Sequence, residues 1–192
     1  MHRALVIASL CAACGGKASP GDLANRTAPP PPPAACPADA APFAPPTPAP
    51  PDAECIRGAS SALLAAAAAA PTCHVFAVTG PTSAVEALTL ADGRRVWIGQ
   101  GGCVHAGIEI RGPAARPVAA SDRPGVLAAA AELLTALDAH TSDHGFAGFA
   151  RDLTAAAPAA PTGSFGLGAG DWTAEVEVGA DGALTITLDF PL

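Results

Sequence analysis

Residues 171–190 read DWTAEVEVGADGALTITLDF, and this stretch decides the fold. Trp172, Ala174, Val176 and Val178 alternate with Thr173, Glu175 and Glu177. After the turn residues Gly179-Ala180-Asp181-Gly182, Leu184, Ile186, Leu188 and Phe190 alternate with Thr185, Thr187 and Asp189. Two runs of period two around an Asp-Gly turn predict an antiparallel hairpin with one covered and one polar face. Working outward, the pattern recurs upstream. CHVFAV (73–78) is a short strand, and Val85–Leu90 and Arg94–Gly99 flank the turn Ala91-Asp92-Gly93, with Leu88 and Leu90 on one face. In Cys103–Arg111, Val104, Ala106, Ile108 and Ile110 point one way, and Cys103, His105, Gly107, Glu109 and Arg111 the other.

Between the hairpins the period changes. In Gly125–His140 the apolar residues Val126, Leu127, Ala130, Leu133, Leu134 and Leu137 recur every three or four residues, which predicts an amphipathic helix. Asp122 is its expected N-cap, with Pro124 in the first turn. A second helix over 142–155 carries Phe146, Phe149 and Leu153 on one face, and a third is expected over 56–70, with Ser60 or Ser61 near its start and Pro71 as its stop. TGSFGLGAGD (162–171) is too glycine-rich to be regular, and its GxGxG string lacks the strand-to-helix setting of a phosphate loop. Alternating strands need a cover for their apolar face, and the helices supply it. The expectation is a two-layer α+β domain over 55–192, with an antiparallel sheet of about five strands covered by two or three helices.

The remainder of the chain is different. Residues 15–54 hold thirteen of the 21 prolines and almost no large apolar residue besides Leu23 and Phe43. Such a segment cannot bury enough surface to offset its ordering entropy, so it reads as a disordered or polyproline II tether. At ~3.1 Å per residue it would hold a domain on the order of 100 Å from its anchor. The net charge is −7, Lys17 is the only lysine, and no basic cluster exceeds Arg94-Arg95. A nucleic-acid partner is not expected, because counterion release needs a basic stripe. No uncharged apolar run after residue 11 reaches the roughly 18 residues of a membrane span.

The first twenty residues, MHRALVIASLCAACGGKASP, carry an address. His2 and Arg3 precede a short apolar core ending in small residues, the layout of an export signal over 1–13. Ala12-Ala13-Cys14 resembles the lipobox of bacterial lipoproteins. In that family the peptide is cut before the cysteine, whose thiol is diacylated and whose new amino group is then acylated. Here Cys11 stands where the family favours leucine, with Leu10 one place earlier. The resemblance implies lipidation at Cys14 (the palmitate-type anchor of a lipoprotein), residues 14–54 as anchor and tether, and a place in the cell envelope. Gly15 after the cysteine, where an Asp would signal retention, implies the outer membrane, with the domain in the periplasm or on the cell surface.

With Cys14 acylated, Cys36, Cys55, Cys73 and Cys103 remain, an even number that reads as two disulfides in an oxidising compartment. The favoured pairing is Cys73–Cys103 with Cys36–Cys55. A zinc set from Cys73, His74, Cys103 and His105 is disfavoured, because neighbouring residues on a strand point to opposite faces. His140 and His144 read as surface histidines at an interhelical joint. The one stretch that offers a site is WIGQGGCVHAGIEIR (97–111), with Trp97, Gln100, His105, Glu109 and Arg111 as candidate ligand or partner contacts. His105 and Glu109 share a face but lie roughly 13 Å apart along the strand, too far for an acid–base pair. No catalytic residue, metal or cofactor is assigned. The leading expectation is a non-catalytic binding or structural module, with an envelope protein as its possible partner. Two alternatives are a periplasmic inhibitor or immunity-type protein that projects the 99–107 glycine loop, and an enzyme or metal protein using His105 and Glu109. An exposed apolar patch or an open sheet edge would favour the first.

Overall fold

The computed structural model describes residues 60–64, 73–102, 105–141, 145–168 and 170–191, and for His105 and Pro191 the backbone only. The expected signal, Cys14 and the tether lie outside these residues. The fold is α+β. Seven strands, β1 (Cys73–Gly80), β2 (Ser83–Thr89), β3 (Arg95–Gly101), β4 (His105–Pro113), β5 (Phe165–Gly166), β6 (Thr173–Val178) and β7 (Ala183–Pro191), form one antiparallel sheet in the order β1-β2-β3-β4-β7-β6-β5. The helices α1 (Arg123–Asp138) and α2 (Gly145–Ala156) lie between β4 and β5. Two meanders therefore meet where β4 pairs with β7, with Ile108 opposite Leu188 and Ile110 opposite Ile186.

The count exceeds the expected five strands for local reasons. β5 is two residues long, Phe165 facing Ala174 and Gly166 facing Thr173, too short to leave a periodic signal in a glycine-rich stretch. The expected helix over 56–70 is corrected where it can be seen. Residues 60–64 are not helical, and Leu64 instead forms an isolated bridge with Thr141. Alanine propensity is a weak prior that tertiary contacts override. Here a buried side chain on the sheet captures the Leu63 and Leu64 backbone N–H groups.

Both hairpin turns follow their Asp-Gly sequences. In the β2–β3 turn, Leu90 N–H donates to Arg94 O at 2.8 Å and Gly93 has φ 85°. In the β6–β7 turn, Gly179 N–H donates to Ala183 O at 2.8 Å and Gly182 has φ 77°. These left-handed positions cost glycine nothing and other residues about 1–2 kcal/mol. Each turn aspartate also holds its hairpin from the side. The Arg94 backbone N–H, helped by its guanidinium, keeps the Asp92 carboxyl below its ordinary pKa. The Ala183 backbone N–H, with Arg111 beside it, does the same for Asp181.

The expected apolar stripe of α1 is the centre of the core. Val126, Leu127, Ala130, Leu133, Leu134 and Leu137 are all fully buried, against Ile98, Ile110, Val176, Leu184, Ile186 and Leu188 of the sheet. Asp122 caps the helix as expected, accepting from Gly125 N–H at 3.1 Å. α2 adds Phe146, Ala150 and Leu153 to the same layer. α1 packs on β6 and β7 at one face of the sheet, and residues 60–64 form a strap over the β1–β2 end of the same face.

Candidate functional site

The strap is held by a carboxylate that the sequence reading passed over. Glu86 sits on β2 at the parity of Leu88 and Leu90, so it faces the covered side, and it is fully buried. Its Oε1 accepts from Leu63 N–H at 2.6 Å and Gln100 Nε2 at 3.1 Å. Its Oε2 accepts from Leu64 N–H at 3.2 Å and lies 3.1 Å from His74 Nε2. Gln100 also donates to Ser61 O at 2.9 Å, and Ser60 Oγ to Thr82 O at 2.9 Å. A buried carboxylate is tolerated when every lone-pair direction is filled, and here two backbone amides, an amide side chain and an imidazole fill them. The cluster does no evident chemistry: its hydrogen bonds are spent on fixing the strap. The signal that would have revealed it is an acidic residue in phase with core leucines on a strand.

Beneath the strap lies a cleft of about 290 Å³ lined by Leu63, Ile108, Phe146, Phe149, Trp172 and Thr141, among others. Phe149 meets Trp172 edge-on at 5.0 Å between ring centroids, and Trp172 lies 5.2 Å from Phe190. No side chain with an ordinary titratable group lines it, so it suits contact with an apolar group. A second feature is the outer edge of β1. The strand CHVFAVTG carries no Asp, Glu, Lys, Arg or Pro, and its Val75 and Val78 are exposed. Among the described residues no strand pairs with this edge.

The sequence-derived candidates do not gather. Gln100 belongs to the covered face, with Glu86. Trp97, Glu109 and Arg111 belong to the opposite, open face: Trp97 pairs with Arg111 and Gly99 with Glu109. Arg95 lies over the Trp97 ring at 5.7 Å, while Arg111 reaches Asp181 at 2.6 Å. His105 opens β4 opposite Pro191, at the open-face parity. His74 is on the covered face, beside Glu86, away from Glu109 and Arg111. In the glycine stretch 99–107 of the inhibitor alternative, Gly99 and Gly101 are laddered to Glu109 and Gly107, and residues 103 and 104 lie outside the described residues. Among the described residues no group of three or more His, Cys, Asp and Glu is placed to hold a metal. His140 is buried, not on the surface, in the turn after α1 where its backbone N–H donates to Leu137 O. His144 lies outside the described residues.

Cys73 is buried and disulfide-bonded, and the other cysteines lie outside the described residues. Cys103, Cys36 and Cys55 of the favoured Cys73–Cys103 and Cys36–Cys55 pairings are among those outside the described residues.

Comparison of the chain with protein families, curated proteins and solved structures finds no match.

Proposed function

We propose that this chain is a cell-envelope lipoprotein, exported by residues 1–13, acylated at Cys14, and carrying its α+β domain on a proline-rich tether as a non-catalytic binding module. The outer membrane is its place in this reading, and an envelope protein its partner. No helix among the described residues is long and apolar enough to cross a membrane.

The observation that carries the binding reading is the outer edge of β1. An edge strand without Asp, Glu, Lys, Arg or Pro, which no strand among the described residues pairs with on its outer side, offers its N–H and C=O groups beyond Cys73 to a partner's strand. Soluble proteins usually guard such an edge with charge, proline or a bulge in its outer part. Here the only irregularity is at the inner pairing with β2, between Val78 and Gly80. Val78, 61% exposed, would give the partner an apolar contact.

A photo-crosslinking residue at Val78, introduced into the full-length protein in its own cells, tests this. The reading predicts a discrete covalent adduct from Val78 and none from the exposed Ala128 on α1. Equal labelling at both positions, or none at Val78, would overturn it. The Cys14→Ser protein should move from the membrane fraction to the soluble fraction; if it stays with the membrane, the anchor is elsewhere.

A further inference from the structure

We infer that the occupant of the β1 edge is a second copy of this chain, joined strand to strand about a two-fold axis, a choice of partner that rests on β1 being an interface as proposed above. Two sheets then run on as one, and the assembly closes as a dimer.

The two ends of the sheet differ in how they are guarded. At the far end, β5 pairs with only the first two residues of β6, Thr173 and Ala174. The rest of that edge is protected. Arg123, at the start of α1, donates from Nη1 to the Val176 carbonyl and from Nε to Pro161 O, and Glu175 and Glu177 add carboxylates along the strand. A capped carbonyl and charged side chains discourage strand addition.

The β1 end has none of these devices. From Val75 opposite Ala87 to Val78 opposite Ala84 the strand keeps unbroken register with β2, so no bulge turns the edge away. Val75 is 44% and Val78 61% exposed, and among the described residues no other large apolar side chain is exposed. Strand parity sends the two to opposite faces. An element packed on one face would shield one of them. A strand added in the plane of the sheet shields both.

A copy of β1 fits this edge. Run antiparallel about an axis normal to the sheet, residues of equal parity face one another. With Ala77 on the axis, Val75 faces Thr79 and Phe76 faces Val78; with Phe76 on the axis, Val75 faces Ala77 and His74 faces Val78. In neither case do two carboxylates or two lysine or arginine side chains oppose, although each chain carries a net charge of −7. The pairing consumes both unguarded edges at once, and each end of the joined sheet is then a guarded β6 end. Addition of β1 to the β6 edge of the next copy would build an open fibre, and Arg123 and the two glutamates oppose it. α1 packs on β6 and β7, at the far end of the sheet from this axis, so the helices of the two copies stay apart.

The crosslinker at Val78, in the protein's own cells, separates the choice of partner from the edge reading. A self-pairing edge gives an adduct of twice the chain's mass, in which the peptide bearing position 78 is joined to residues 74–80 of the second copy. An adduct with any other protein keeps β1 as an interface but overturns the second copy as its occupant; no adduct overturns both. Sedimentation of the full-length Cys14→Ser protein, in which no acyl chain at that residue can hold copies together, gives the equilibrium. A monomer–dimer transition is expected between ~1 and ~100 µM, the range of a small interface. Val78→Lys changes an exposed side chain and should weaken the dimer about tenfold or more, because its ammonium group would be drawn against apolar neighbours. Ala128→Lys, at an exposed position on α1, should leave the dimer unchanged. Monomer throughout that range, or a dimer indifferent to Val78→Lys, would overturn the self-pairing.

Discussion

Glu86→Gln is the sharpest perturbation of the fold, because it changes one atom of a filled cluster. The new amide puts an NH2 where one carboxylate oxygen stood. At the Oε1 position it would face two donors, Leu63 N–H and the Gln100 amide. At the Oε2 position it would face Leu64 N–H and His74, whose ring nitrogen accepts a hydrogen bond in one tautomer. The second arrangement is the cheaper. It still leaves the Leu64 N–H without a partner, at about 1–3 kcal/mol. It also turns the two charge-assisted bonds at Oε1 into neutral ones, at about 1 kcal/mol each. The variant should therefore lose about 3–5 kcal/mol. In urea, with a slope of ~2 kcal/mol/M for a domain of this size, the midpoint falls by ~2 M. Amide hydrogen exchange at Leu63 and Leu64 should accelerate together with this loss. Glu132→Gln, on the exposed face of α1, serves as the control and should move the midpoint little. A loss below ~0.5 kcal/mol for Glu86→Gln, with unchanged protection at Leu63 and Leu64, would refute the assignment of Glu86 as the strap's anchor.

Three further outcomes are expected. Gly182→Ala should cost about 1–2 kcal/mol by denaturant midpoint, because its φ is positive and the added Cβ meets nothing; Gly166→Ala, with equal room and no such φ, should cost less. Leu134→Ala, at a fully buried position in α1, should cost about 2–5 kcal/mol in the same assay, and a value near zero would mean that the core is not where it is described. The lowered Asp92 pKa gives stability that is present above the unfolded value near 3.8 and lost as pH falls through the folded value. The Asp92→Asn protein should thus be less stable than the parent at pH 7, by a small margin because the group is exposed, and the gap should close in acid; a gap of equal size at both pH values would contradict the cause given.

What was legible in the sequence was what local periodicity encodes. The α1 stripe, its Asp122 cap, the two Asp-Gly turns and the 172–190 hairpin follow from neighbours a few residues apart. The strap did not, because residues 60–64 are shaped by Glu86 and Gln100, more than twenty residues distant. Its alanine-rich surroundings read as helix when taken alone. The candidate site dissolved for a related reason. Trp97 and Gln100 are neighbours in sequence, but strand parity sends them to opposite faces, and only the register shows which side is covered.

The measurement that bears most directly on the envelope-lipoprotein reading is the intact mass of the protein extracted from membranes of the cells that make it. The account predicts a chain that begins at Cys14, lacks Met1–Ala13, and carries the added mass of acyl chains. A species without acyl mass, or one that retains Met1–Ala13, would contradict it and remove the membrane anchor from the function.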